Sequence, residues 1–218
     1  MPISDRAGAG RRRTLPALVA SLALLAGCQM TVPGQAGGAA SGNALRSATL
    51  DGGTITIRGP AGYCIDAKSL RASGPRQFAL LAPCDLLTSG QINGVSSLSI
   101  LTVTAVRSSG ETPLPTPAQI AETFGPASVL SHSTRNGALL VQLSDGGQRA
   151  SKNASPVHWR GVMQVPGHTL GLAAYGSEGG RASGSGGRDL LLSLVAGIRD
   201  ATSGRTTGDT VAVQKPAD

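Results

Sequence analysis

Aromatic side chains are scarce: Tyr63, Phe78, Phe124, Trp159 and Tyr175 are all there are in 218 residues. A sugar-stacking cleft or a single-strand nucleic-acid surface needs clustered aromatics, and these are scattered along the chain. Charge is scarce too, at 14% of residues, which excludes a strongly charged disordered chain and a coiled coil. Gly and Pro number 31 and 13, short of a low-complexity excess and without a collagen repeat. Three Cys and three His give little material for a metal centre, since structural zinc takes four ligands. Gly-x-Ser-x-Gly, Ser-x-x-Lys, a P-loop and His-Glu-x-x-His are all missing, so no familiar catalytic or cofactor motif is signalled.

What is present begins with an address. Arg6, Arg11, Arg12 and Arg13 precede the apolar stretch Leu15 to Ala26. That stretch is too short for the roughly 20 residues of a bilayer span, but it suits the core of a signal peptide. Leu25-Ala26-Gly27-Cys28 follows and resembles the bacterial lipobox. The resemblance implies cleavage after residue 27, lipidation of Cys28 and a mature N-terminus carrying three acyl chains, palmitate among them. Two chains already suffice for stable anchoring. Arg12-Arg13-Thr14-Leu15 resembles a twin-Arg signal only faintly, and its flanking residues fit that signal poorly, so the general secretory route is expected. Gln29 rather than Asp after the Cys implies, by the enterobacterial rule, the outer membrane facing the periplasm. The four Arg and Asp5 of residues 1–27 are lost on cleavage, leaving a net charge of +4 instead of +7. The remaining Arg residues are dispersed, so no nucleic-acid partner is expected.

Beyond the anchor, length allows one or two domains. Thr31 to Asn43 is an uncharged stretch rich in Gly, Ala, Ser and Pro and reads as a tether reaching about 20 Å. Residues 28–44 are thus anchor and tether, 45–203 a single domain, and 204–218 a polar tail. Cys64 and Cys84 remain as an even pair in an oxidising compartment. Parity and compartment favour a disulfide over a redox or metal pair.

Residue patterns predict the elements. Thr54 to Arg58, Phe78 to Ala82, Leu98 to Val106 and Ala138 to Ser144 read as strands. Thr116, Pro117 and Gln119 signal a helix start, with Phe124 its last residue before Gly125-Pro126. Asn136-Gly137 is a tight-turn signal that makes 127–134 the partner strand of 138–144. Val157 to Val165 alternates, placing Trp159 and Met163 on one face and His158, Arg160 and Gln164 on the other. Leu170, Leu172 and Ala174 continue beyond Pro166-Gly167. A loop of three or more residues is expected there, because I′ and II′ turns exclude Pro at their first position. Ser177 to Gly187 reads as a flexible loop, and Asp189 to Thr202 as an amphipathic helix capped by Gly204. Asp189 and Arg199 complement its dipole.

Gly59-Pro60-Ala61-Gly62-Tyr63, then strands, a short helix after a Pro, a meander and a final amphipathic helix form an order similar to the Mog1/PsbP-like α+β sandwiches. The resemblance implies a mainly antiparallel sheet with a short middle helix and the C-terminal helix packed on it. Gly62-Tyr63-Cys64-Ile65-Asp66, with Phe78 and Cys84, also resembles uncharacterised alphaproteobacterial lipoproteins, a family with no catalytic residues to carry over.

Three candidate sites have bland readings. Gly184 to Gly187 could cradle an anion on backbone N–H groups but reads as loop. His158 and His168 flank the hairpin, too few for a metal site, and read as an exposed polar face. Asp66 and Asp85 follow the two Cys and could act as an acid/base pair, yet beside Lys68 and Arg71 they read as solvated. The chain is therefore expected to be a non-catalytic envelope lipoprotein that binds, scaffolds or assists, held to the membrane through Cys28, without cofactor and with an envelope protein as possible partner. The alternative is a small envelope hydrolase.

Overall fold

A computed structural model describes residues 43–91, 98–109, 113–124 and 128–204. The expected signal peptide, Cys28, the expected tether up to residue 42, Gly125-Pro126 and the tail expected from residue 204, apart from Gly204 itself, lie outside the described residues.

The fold is α+β. Among the described residues, ten strands run in chain order: β1 Ala44–Leu45, β2 Ser47–Leu50, β3 Ile55–Arg58, β4 Tyr63–Asp66, β5 Arg76–Pro83, β6 Ser99–Arg107, β7 Val129–Arg135, β8 Ala138–Leu143, β9 His158–Val165 and β10 His168–Gly176. Among the described residues, three α-helices accompany them: α1 Cys84–Ser89, α2 Pro117–Glu122 and α3 Ser185–Ser203. Eight strands form one antiparallel sheet in the order β1-β4-β5-β6-β10-β9-β8-β7, and β2 and β3 pair separately.

Helix α3 covers one face of the large sheet. Leu191, Leu194, Val195 and Ile198, at the spacing of a single helical stripe, are fully buried with Leu101, Val103, Leu140, Trp159, Met163, Leu170 and Leu172. The β2–β3 ribbon adds Leu50, Ile55 and Ile57 to the same core. It lies so close to α3 that a Cβ on Gly197 would stand 2.5 Å from the Arg58 carbonyl. Side chains alternate across a strand, so β8 sends Leu139, Val141 and Leu143 to the opposite face. There they form a smaller core with Ile120 and Ala121 of α2.

Local chemistry explains the boundaries. Thr116 and Gln119 make a reciprocal capping box at α2, satisfying two N–H groups that a helix start leaves free. Asn136 and Gly137 both adopt positive φ, +52° and +63°, between the paired Arg135 and Ala138, the requirement of a I′ hairpin. Cys64 and Cys84 are disulfide-bonded with Cα atoms 4.8 Å apart, joining β4 to the start of α1.

Several expectations are corrected. Val165 and His168 pair directly, so Pro166-Gly167 is a two-residue loop. Pro at its first position and Gly167 at φ +71° match a type II turn, which accepts Pro where the primed turns do not. Residues 177–187 are no simple loop, because α3 begins at Ser185. Asp189 therefore lies in the second turn, away from the strongest dipole field. Gly204 ends α3 at φ −60° and so does not use the left-handed freedom expected of it.

Candidate functional site

The sheet face opposite α3 is only partly roofed. Helix α2 covers the β8 side, and residues 150–154 overhang β6 and β10. Between them lies a cavity of about 460 Å3. Its walls are mainly apolar: Phe78 and Leu80 from β5, Leu98 and Ile100 at the start of β6, and Tyr175 from β10. These follow from strand alternation, since their neighbours Ala79, Leu81, Leu101 and Ala174 are buried on the α3 side. Leu98 is 39% exposed at the rim. A second cavity of about 250 Å3 is lined by α2 and by Gly171, which adds no side chain to its floor. Thr102, Thr104 and Arg160 line both.

Arg160 is the charged group in this apolar setting. Its Nε–H donates to His158 Nε2 at 2.9 Å. Its guanidinium carbon lies 4.2 Å from the Phe124 ring centroid and 5.2 Å from that of Tyr175, within cation–π range. His158 stacks on Tyr175 with centroids 5.4 Å apart and meets Phe124 edge-on at 6.0 Å. Among the described residues, no carboxylate stands within ion-pair distance of Arg160.

Protonation follows the same geometry. Burial pushes His158 down to about 4, against the opposing pull of the Pro156 carbonyl; the neighbouring positive Arg160 lowers it further. A neutral ring protonated at Nδ1 satisfies both contacts, donating to Pro156 O at 3.1 Å and accepting from Arg160 at Nε2. Burial also lowers the pKa of Arg160 and raises that of Tyr175, but an arginine stays charged through the physiological range.

His158 and His168 are thus not on an exposed polar face: they are 0% and 4% exposed. Alternation assigned His158 the second face correctly, but that face is covered there, whereas His168 shares the face of Leu170 and Leu172 and is buried against Asp51. The aromatics, scattered in sequence, also converge here, with Phe78, Phe124 and Tyr175 around the two cavities. No local signal in the sequence could have announced this, because the three belong to β5, the end of α2 and β10.

His168 belongs to another cluster. Its Nε2–H donates to Asp51 Oδ2 at 2.8 Å, while Arg107 grips the same carboxylate through Nε at 2.9 Å and Nη2 at 2.6 Å. The Arg107 hydrogen bond is the main reason the Asp51 carboxyl lies below the usual carboxylate range. The second nitrogen of His168 is 3.2 Å from the Pro166 carbonyl. Asp51, at φ +49°, ties the end of the β2–β3 ribbon to β6 and β10. It escaped the sequence reading because it lies 117 residues from His168.

The other candidates are not assembled into sites. Asp66 accepts the Lys68 backbone N–H at 3.1 Å in a tight turn, and Asp85 is exposed in the first turn of α1. Gly186 and Gly187 are packing glycines. A Cβ on Gly187 would lie 2.1 Å from the Ala182 carbonyl and 2.5 Å from Trp159 Cδ1. Trp159 Nε1–H donates to Gly184 O at 2.7 Å. This helix start is therefore filled by protein. Among the described residues, no three His, Cys, Asp or Glu side chains gather as metal ligands. No helix among them is long and apolar enough to cross a membrane.

No family model and no curated protein matches this chain. A solved structure of a point mutant of the protein Mog1 is similar. It shares 15% sequence identity and a TM-score of 0.44, over 69% of this chain and 92% of that one.

Proposed function

We propose that the chain is a non-catalytic envelope lipoprotein, anchored through Cys28, whose domain serves as a binding component with the cavity at Arg160 as its seat. One observation carries the reading: a guanidinium with no carboxylate partner among the described residues opens into an apolar cavity of about 460 Å3, within the size range of small-molecule sites. The convergence of a few polar groups on an apolar wall is what such sites share. The hydrolase alternative has less support. A general base needs a free nitrogen near its proton donor, and both nitrogens of His158 and of His168 already face protein partners. The lipobox residues support the anchor and the outer-membrane, periplasm-facing location, with an envelope protein as a further possible partner.

Native mass spectrometry of the mature protein, released from membranes in mild non-ionic detergent, tests the reading. The expected result is a diacylglyceryl-modified Cys28 and a noncovalent adduct on the wild type that is lost in Thr102→Trp, which fills the cavity. Unmodified Cys28 would overturn the anchor. Adducts equal in wild type and variant would overturn the cavity as the seat of binding.

A further inference from the structure

The two cavities, the rigidly held Arg160 and the apolar β5–β6 wall specify a ligand class more narrowly than binding alone. The Arg160 guanidinium is fixed on three sides: by the His158 acceptor at its Nε, by the Phe124 face and by the Tyr175 face. Its Nε is therefore spent, and the two Nη groups remain as a fork. Such a fork matches the two oxygens of one carboxylate or the free oxygens of one phosphodiester. Arg160 is half-buried, and this desolvation is the largest cause of its lowered pKa. An incoming anion restores what burial removed. The surrounding field favours an anion as well. Arg149 on the turn before the overhanging loop adds positive potential at both Arg160 and His158, while the exposed Asp145 acts on His158 with the opposite sign. Away from the fork, Phe78, Leu80, Leu98 and Ile100 offer apolar surface, and Leu98 leaves it open at the rim.

Resting on the cavity as the seat of binding, we infer that it takes a singly anionic amphiphile, its head on the Nη groups of Arg160 and its apolar body along Phe78, Leu80, Leu98 and Ile100. The head is one carboxylate or one phosphodiester, and the body is an aliphatic chain. Thr102 and Thr104 stand where the two cavities meet Arg160 and supply hydroxyl groups beside the head. The same chemistry could come from a free fatty acid or from a membrane phospholipid.

The test is calorimetric titration of the full-length lipidated protein in phosphatidylcholine nanodiscs, with empty nanodiscs as the blank for partitioning. The probes are butanoate, hexanoate, octanoate, 1-octanol and octylammonium. Affinity should rise roughly threefold to fourfold with each added methylene, as burial of a CH2 group implies. Octanoate should bind at least tenfold more tightly than 1-octanol, and octylammonium not at all. Arg160→Gln should erase the preference for octanoate while 1-octanol still binds, which also reports that the variant is folded. Arg160→Lys, which keeps charge but not the fork, should retain only part of the preference. Repeating the octanoate titration in nanodiscs containing phosphatidylglycerol separates the sources. Weakened octanoate binding there identifies membrane phospholipid as the occupant, and unchanged binding identifies a free amphiphile.

Equal affinity for octanoate and 1-octanol in the wild type, or an unchanged preference in Arg160→Gln, would overturn the inference. So would affinity independent of chain length. If the native adduct is lost in Thr102→Trp while none of these probes binds, the ligand class is wrong and the binding reading stands. If the adduct is insensitive to Thr102→Trp, the seat of binding is wrong as well.

Discussion

Arg160 donates from Nε to a neutral His158 at 2.9 Å, so a half-buried cation is held in place by an uncharged acceptor. An acidic partner would have neutralised it. The imidazole fixes the guanidinium and leaves its charge available. This pairing requires His158 to stay unprotonated, and burial secures that by moving its pKa to about 4.

Stability should therefore depend on pH between the two titration points of His158. The unfolded chain takes up this proton near 6.5, and the folded protein only near 4. Above pH 6.5 the ring is neutral in both states, and its contribution is complete. As the pH falls from 6.5 to 4 the unfolded state binds the proton first, and stability drops by on the order of 2–3 kcal/mol. Urea midpoints across that window should show the slope, and His158→Ala should flatten it. At pH 7 that substitution should itself cost roughly 1–3 kcal/mol, because the Arg160 Nε–H and the Pro156 carbonyl lose their partner. A flat wild-type profile would mean that the ring takes up its proton as readily in the folded protein as in the unfolded chain.

Trp159 lies one residue away and fills the opposite core, 2% exposed beneath α3. Trp159→Ala should cost about 3–5 kcal/mol, the usual range for emptying an aromatic core position. It should also loosen the start of α3, since the Gly184 carbonyl loses its indole donor. Faster amide exchange confined to residues 184–190 would report that second effect.

Asp51→Asn should weaken the tie between the β2–β3 ribbon and the β6–β10 pair. The Asp51 pKa is lowered in the folded state, so its contribution is present above the ordinary carboxylate value and is lost as the pH falls through the folded value. The difference in urea midpoint between wild type and Asp51→Asn should be largest at pH 7 and shrink at pH 2.5. A constant difference would assign the loss to packing and not to charge.

Replacing Cys64 and Cys84 together by Ala opens a loop of 20 residues' separation. The loop-entropy estimate is roughly 3 kcal/mol. Reduction of the wild type by dithiothreitol should lower the melting temperature by the same amount as the double substitution, and reduction of the variant should change nothing.

The parts of this fold legible in the sequence were those fixed by local chemistry. The Thr116 to Gln119 capping box, the Asn136-Gly137 turn and the shared face of Trp159, Met163, Leu170 and Leu172 each need only a few neighbouring residues to specify them. The α3 stripe was legible for the same reason, but its start was not. Ser185 to Gly187 are poor helix formers, and the two glycines stand there because a Cβ on Gly186 would meet Arg181 and one on Gly187 would meet Ala182 and Trp159. The Arg160 site was illegible because alternation reports which residues share a face, not what covers it. His158 and Arg160 looked like solvent-facing polar residues until α2, Tyr175 and the 150–154 overhang closed over them.

The β2–β3 ribbon meets α3 near its end: the Thr56 backbone N–H donates to Thr202 Oγ1 at 3.2 Å, across 146 residues of chain. Ile55 and Ile57 find their cover only when α3 arrives. A nascent chain truncated before α3 would leave that apolar ribbon and one whole face of the sheet unburied. Contacts of such long sequence separation are made late and slowly, because loop closure must come first. Closure of the main core is thereby coupled to the arrival of α3, and until that helix docks, one face of the sheet stays exposed.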